Sequence, residues 1–142
     1  MVTVVAAAFE QLSARQAYDA WRLRQDAFVV EQECAYPDLD GRDPDPTTRH
    51  VLLLKDERVV GCARVLDDGD AWRIGRVVLD PAVRGRGWGD RLMESALVLC
   101  VGRPAVLDAQ APLTGWYATF GFHVDGPEFL EDGIPHVPMR RP

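Results

Sequence analysis

The chain has 142 residues, 47% of them hydrophobic and 27% charged, and a formal net charge of −6. That length suits one domain with a buried core, and the acidic balance argues against nucleic acid as the main partner, because a phosphate backbone needs a basic face. Fifteen arginines stand against a single lysine, Lys55, and no apolar run approaches the ~20 residues that a membrane-crossing helix needs.

In chain order, Thr3 to Ala8 is rich in Val and Ala and reads as a first strand. No basic segment precedes this short run, so a signal peptide is not expected and the cytoplasm is the expected location. Ser13-Ala14-Arg15-Gln16 matches a capping box, opening a helix with Ala17, Trp21 and Phe28 on one face that should run to about Val30. A loop loaded with Asp and Pro then extends to His50. Its aspartates at 38, 40, 43 and 45 suggest calcium, but an EF-hand template anchored on Gly41 puts Tyr36 and Thr47 where acidic ligands are required. A solvated, turn-forming acidic loop is the expectation.

Val51 to Lys55 and Val59 to Leu66 form a hairpin across Asp56-Glu57-Arg58. Asp67-Asp68-Gly69-Asp70 turns into a further strand, Ala71 to Leu79. A helix from Trp88 to Val101 follows, with Leu92, Met93, Ala96 and Leu97 at helical spacing and Gly102 as its stop. Ala105 to Ala109 is a short buried strand, making a parallel strand–helix–strand crossover with 71–79. A short helix spans Pro112 to Phe120, and Phe122–Asp125 and Pro135–Arg140 are terminal strands separated by Gly126-Pro127 and Glu131-Asp132-Gly133. Cys34, Cys62 and Cys100 have neither the number nor the spacing of a disulfide framework or a zinc site. They read as small buried hydrophobes, Cys34 being the more open.

The most informative stretch lies between strand 71–79 and helix 88–101. Glycines at 85, 87 and 89 strip Cβ atoms from the loop, and the amides of Arg86, Gly87, Trp88 and Gly89 fall among the free donors that open a helix. With the helix dipole and Arg84, they make an anion site suited to phosphate. A Walker A loop would need Gly-Lys-Ser/Thr, which Gly87-Trp88-Gly89 does not supply. A dinucleotide fingerprint would open a run of parallel strands, whereas hairpins precede this loop.

Arg84-Gly85-Arg86-Gly87-Trp88-Gly89, following Val77-Val78-Leu79-Asp80-Pro81, resembles the acyl-CoA loop of the GNAT superfamily of N-acetyltransferases. Gln110 and Tyr117-Ala118-Thr119-Phe120-Gly121-Phe122 resemble that superfamily's second signature. Phe28-Val29-Val30-Glu31-Gln32, Asp40-Gly41, His50, Gly75-Arg76-Val77 and Glu131-Asp132-Gly133-Ile134-Pro135-His136 resemble its ElaA-like branch, over nearly the whole chain. The resemblance implies a single α/β (α+β) domain over residues 1–142. Its mixed, mostly antiparallel twisted sheet would have about six or seven strands, splayed at the central strand and flanked by about four helices.

It also implies acetyl-CoA as co-substrate, with no metal, and a small-molecule or protein amine as acceptor; edge strands at the C-terminus leave monomer and homodimer both open. Donor contacts fall on Val77, Val78, Leu79, Arg84, Gly85, Arg86, Gly87, Trp88, Gly89, Gln110 and Tyr117. Tyr117 would act as general acid toward the departing thiolate, and Glu31 and His136 lead Glu33 and His50 as candidates for the base. If the loop from Asp38 to Asp45 borders the acceptor mouth, it favours a cationic amine. A catalytically silent acyl-CoA-binding module and a nucleotide-binding regulator are the rival readings.

Overall fold

The unbroken apolar run Val51-Leu52-Leu53-Leu54 becomes a strand buried on both faces. It belongs to β2 (Arg49–Lys55) of the computed structural model, which describes residues 1–142. Val51 and Leu53 enter one hydrophobic layer, and Leu52 and Leu54 the other, as a period of two requires. Antiparallel neighbours β1 (Val2–Ala7) and β3 (Arg58–Asp67) flank it. The β2–β3 turn uses Asp56 and Glu57, both at positive φ (51° and 69°), as a two-residue hairpin demands.

β4 (Trp72–Leu79) continues antiparallel to β3, and helix α2 (Trp88–Val98) leads to β5 (Ala105–Gln110), parallel to β4. β5 pairs along its whole length with β8 (Ile134–Arg141), which also takes β6 (His123–Val124) and β7 (Phe129–Glu131). The expected mixed, mostly antiparallel sheet is present, with eight strands in place of six or seven. β7 is the strand that the sequence reading lacks. It turns into β8 on Asp132-Gly133, both at positive φ (52° and 79°), so the supposed separator is a tight hairpin.

There are three α-helices in place of four. Ser13 caps α1 (Ala14–Arg24): its Oγ accepts from Gln16 N at 3.0 Å, and Gln16 Oε1 accepts from Ser13 N at 3.0 Å. The α-helix ends at Arg24, and the expected continuation to Val30 is a π-helical turn (Gln25–Glu31). α2 ends three residues early, and a 3₁₀ turn (Ala111–Leu113) precedes the short α3 (Thr114–Ala118). α1 packs Ala20 and Leu23 against Leu52, Leu54 and Val78 on one face of the sheet. Leu92, Met93 and Ala96 of α2 pack against Val51, Leu53 and Val65 on the other.

The sheet departs from regular pairing in three places: β3 carries one extra residue, Val60, against β2, and the other two departures are on β4. β4 and β5 pair only at Trp72/Ala105 and Arg73/Val106, and beyond that point they separate. In addition, β4 carries one extra residue against β3, since Cys62 faces Val78 while Arg64 faces Gly75. Arg76 sits in this bulge at φ 52°, a left-handed conformation that disfavours a side chain by about 1–2 kcal/mol. No helix is long and apolar enough to cross a membrane.

Candidate active site

Where β4 and β5 part, the sheet leaves one edge of β4 without a strand partner from Ile74 onward. Buried backbone groups need partners, so such an edge suits an extended ligand carrying amides. The bulge at Arg76 divides the side chains around it. Val77 lines a cavity of about 530 Å³ in the cleft, whereas Val78 faces the layer under α1. Leu79 packs toward the α2 layer, and its carbonyl accepts from Arg84 Nε at 3.0 Å.

At the outer end of β4 lies the glycine loop. Gly85 and Gly87 have φ values of 77° and 82°, with no atom within 4 Å of where a Cβ would stand. The backbone amides of residues 85 to 90 find no acceptor within the chain. Six consecutive free N–H groups at the start of an eleven-residue helix could hold an anion. The residues therefore fit a diphosphate by an observation independent of any motif. Gly89 differs: a Cβ there would make ordinary contacts with Trp116 Cζ2 at 3.4 Å and Leu79 Cδ1 at 3.6 Å, which places α3 beside the start of α2. Trp116 Nε1 seals that contact by donating to Asp90 Oδ1 at 2.8 Å. Trp88, the first residue of α2, lies under the guanidinium of Arg91, 5.9 Å from its ring centre.

Tyr117 and Gln110 reach the cavity from the β5 side, and His136 reaches it from β8. The Tyr117 ring is buried against Trp116 and Phe122, and its hydroxyl makes no hydrogen bond within the protein. Burial pushes the phenol up to about 12, so it keeps its proton at neutral pH. His136 stacks on Phe129 and its Nδ1 lies 2.7 Å from the Ile134 carbonyl. That carbonyl accepts from Nδ1–H, and Nε2 on the other side of the ring faces the Glu131 carboxylate at 3.9 Å.

The other base candidates lie elsewhere. Glu31 is held by both Nη atoms of Arg84 at 2.9 and 3.0 Å and does not line the cavity. Arg84 lowers the Glu31 carboxyl below its ordinary range, and Glu31 raises Arg84 in return. Glu33 is exposed at φ 50°. His50 is buried beneath Trp21 with Nε2 2.9 Å from the Asp43 carbonyl, and burial lowers its pKa. Cys34, expected to be the most open thiol, is buried, with Sγ 3.5 Å from the Asp132 carbonyl.

The acidic loop overturns its expectation most fully, because three of its carboxylates turn inward. Arg24 Nε meets Asp38 at 2.9 Å and Nη1 meets Asp43 at 2.8 Å. Arg64 forks onto Asp40 at 2.6 and 2.9 Å and touches Asp43 at 3.1 Å. Arg76 adds a contact to Asp38 Oδ1 at 2.8 Å in which its Nε–H points off the carboxylate, and its guanidinium lies over Tyr36. Burial alone would raise Asp43, but Arg24 and Arg64 outweigh it and hold the carboxyl low. Arg64 likewise holds Asp40 far below its ordinary range. The loop thus brings little unpaired negative charge to the cavity, and it gives no support to a cationic acceptor. This network was not foreseen: acid-rich sequence marks one half of it, but Arg24, Arg64 and Arg76 come from three separate elements and carry no signal singly.

A family model described as an acetyltransferase (GNAT) domain matches residues 11–141. A UPF0039 protein of Mycobacterium tuberculosis is 46% identical over 138 residues, covering 94% of this chain and 88% of its own length. Protein ElaA of Escherichia coli is 41% identical over 138 residues, with coverage of 92% and 90%. Its crystal structure aligns over 100% of both chains with a TM-score of 0.94 at 38% identity. The crystal structure of an acyl-CoA N-acyltransferase from Pseudomonas aeruginosa also gives a TM-score of 0.94 over 100% of both chains, at 36% identity.

Proposed function

The chain belongs to the GNAT acetyltransferase family, and from that premise we propose that residues 1–142 act as one N-acetyltransferase domain, moving acetyl from acetyl-CoA to a primary amine. The observation that carries the proposal is the run of six partnerless amides at the α2 N-terminus, placed beside the unpaired edge of β4. A diphosphate on the first and an amide-bearing arm along the second match the two ends of an acyl-CoA.

Bound acetyl-CoA supplies a thioester already activated toward amines, which is why no metal is invoked. The loop amides of residues 85 to 90 would hold the diphosphate, and the free edge of β4 at Val77 would align the arm. A backbone N–H at Val78 or its neighbour would stabilise the oxyanion formed on attack. His136 Nε2 would take the proton from the acceptor nitrogen as the N–C bond forms. Tyr117 would deliver its phenolic proton to sulfur as the C–S bond breaks. Both groups line the same cavity, which supports direct attack within a ternary complex. Glu31, tied to Arg84, is given no part in proton transfer.

An amine panel with released CoA thiol as readout tests this reading. Turnover with at least one primary amine is expected. Acetyl-CoA binding without turnover on any amine would favour the silent module, and a thermal shift with ATP but none with acetyl-CoA would overturn the donor assignment.

A further inference from the structure

Glu31 and Gln32 are consecutive residues at the end of the π-helical turn, and each holds one residue of the proposed donor site. Glu31 takes Arg84, beyond the end of β4, through two parallel N–H···O contacts of 2.9 and 3.0 Å. Gln32 exchanges amide hydrogen bonds with Gln110, the last residue of β5, at 3.2 and 3.3 Å. The two contacts therefore reach residues on both sides of the cleft, which opens between β4 and β5.

The chemistry of each contact matches that of the ligand. A carboxylate presents two oxygens to a guanidinium fork much as a phosphate does. A carboxamide offers a donor and an acceptor, as do the amides of a pantetheine arm. We propose that Glu31 and Gln32 stand in for the donor in the free protein, occupying Arg84 and Gln110 until acyl-CoA displaces them.

This rests on the acyl-CoA reading of the cleft. Gln32 also lines the cavity, as do Phe28 in the same turn and Cys34 and Tyr36 just beyond it. The segment that holds Arg84 and Gln110 therefore also forms part of the cavity wall, and contact with it and contact with the donor are alternative states of those two residues. A ligand shifts such an equilibrium only through its differential contacts, and here those contacts are the two that it replaces.

Calorimetric titration of CoA and of pantetheine, which lacks the diphosphate, into wild type, Glu31→Gln and Gln32→Ala tests the proposal. Glu31 is exposed, so its replacement removes a competitor without leaving a buried charge. CoA should bind Glu31→Gln about two- to fivefold more tightly than wild type, the scale of an exposed ion pair, with pantetheine unchanged. Gln32→Ala should tighten both ligands, because both carry the arm. CoA bound by wild type, but equally or more weakly by Glu31→Gln, would overturn the inference alone and make Glu31 a fixed scaffold for Arg84. Absence of CoA binding to wild type would remove the donor reading and the inference together.

Discussion

Arg24 of α1 and Asp43 of the acidic loop are joined by two hydrogen bonds, of 2.8 and 3.2 Å, with 1% and 5% of their side chains exposed. The pair fixes a loop with little regular structure to the helix that covers one face of the sheet. Removing one partner leaves the other charge buried, which is more damaging than never having had the pair. Asp43→Ala should therefore lower the unfolding free energy by about 3–5 kcal/mol in urea titrations. A loss under about 1 kcal/mol would mean that water reaches Arg24 and compensates it.

The same carboxylates set an acid limit. Their folded pKa values lie below those of unfolded carboxyls, through Arg64 for Asp40 and, against burial, through Arg24 and Arg64 for Asp43. A carboxyl depressed on folding contributes stability that is fully present above the unfolded value of about 4 and is lost as pH falls through the folded one. Urea midpoints should hold level from about pH 7 to about 5 and drop below about pH 4, less steeply in Asp43→Asn. A midpoint that stayed flat to about pH 2 would contradict the pairing.

Tyr117→Phe keeps the buried ring and removes only the free hydroxyl. Its kcat should fall by about 10²-fold or more, with acetyl-CoA affinity within about twofold of wild type. Since burial pushes the phenol up to about 12, Tyr117 itself should not cause an alkaline limb near the ordinary tyrosine value of about 10. Unchanged kcat would remove Tyr117 from the chemistry.

His136→Gln retains a polar side chain on β8 but removes the Nε2 lone pair. If the imidazole takes the acceptor's proton, kcat should fall about 10²-fold at neutral pH and the deficit should shrink as pH rises toward the acceptor's own pKa. A constant deficit at every pH would indicate a positional role.

Two glycines should be intolerant of a side chain for different reasons. At Gly87 a Cβ meets nothing, but φ is 82°, so Gly87→Ala should distort the cradle and weaken CoA binding, with a stability loss of about 1–2 kcal/mol. At Gly61 a Cβ would stand 2.7 Å from Leu79 Cδ2 and 3.3 Å from the Val78 carbonyl, so Gly61→Ala overpacks β3 against β4. That change should lower stability by about 1–3 kcal/mol, as thermal unfolding would show. Tight CoA binding by Gly87→Ala would argue that the loop conformation does not matter to the ligand.

Local patterns were legible where one short segment decides the outcome. The Ser13–Gln16 capping box, the β2–β3 hairpin and the glycine turn that opens α2 each follow from spacing and residue type. Features that depend on distant partners were not. Asp38, Asp40 and Asp43 read as solvated until the fold brings Arg24, Arg64 and Arg76 to them. Glu31 reads as a base candidate because nothing in its own segment reveals Arg84, 53 positions away. The β7–β8 hairpin is a different case, since Asp132-Gly133 carried a recognisable turn signal and only the three-residue strand before it was obscure.

The separation of β4 from β5 has a mechanical side as well. The sheet is two leaves, β1 to β4 and β5 to β8, sharing a spine of two paired positions, Trp72/Ala105 and Arg73/Val106. Two further stitches reinforce that spine, from Arg73 to Asp108 at 3.2 Å and from Trp72 Nε1 to the Val101 carbonyl at 3.1 Å. Beyond Arg73/Val106 no sheet hydrogen bond joins the leaves, and what holds them together is the shared core under α2, where Val65 and Ile74 of one leaf meet Leu107 and Met139 of the other. Bulk in the cleft therefore lies outside the ladders of either leaf.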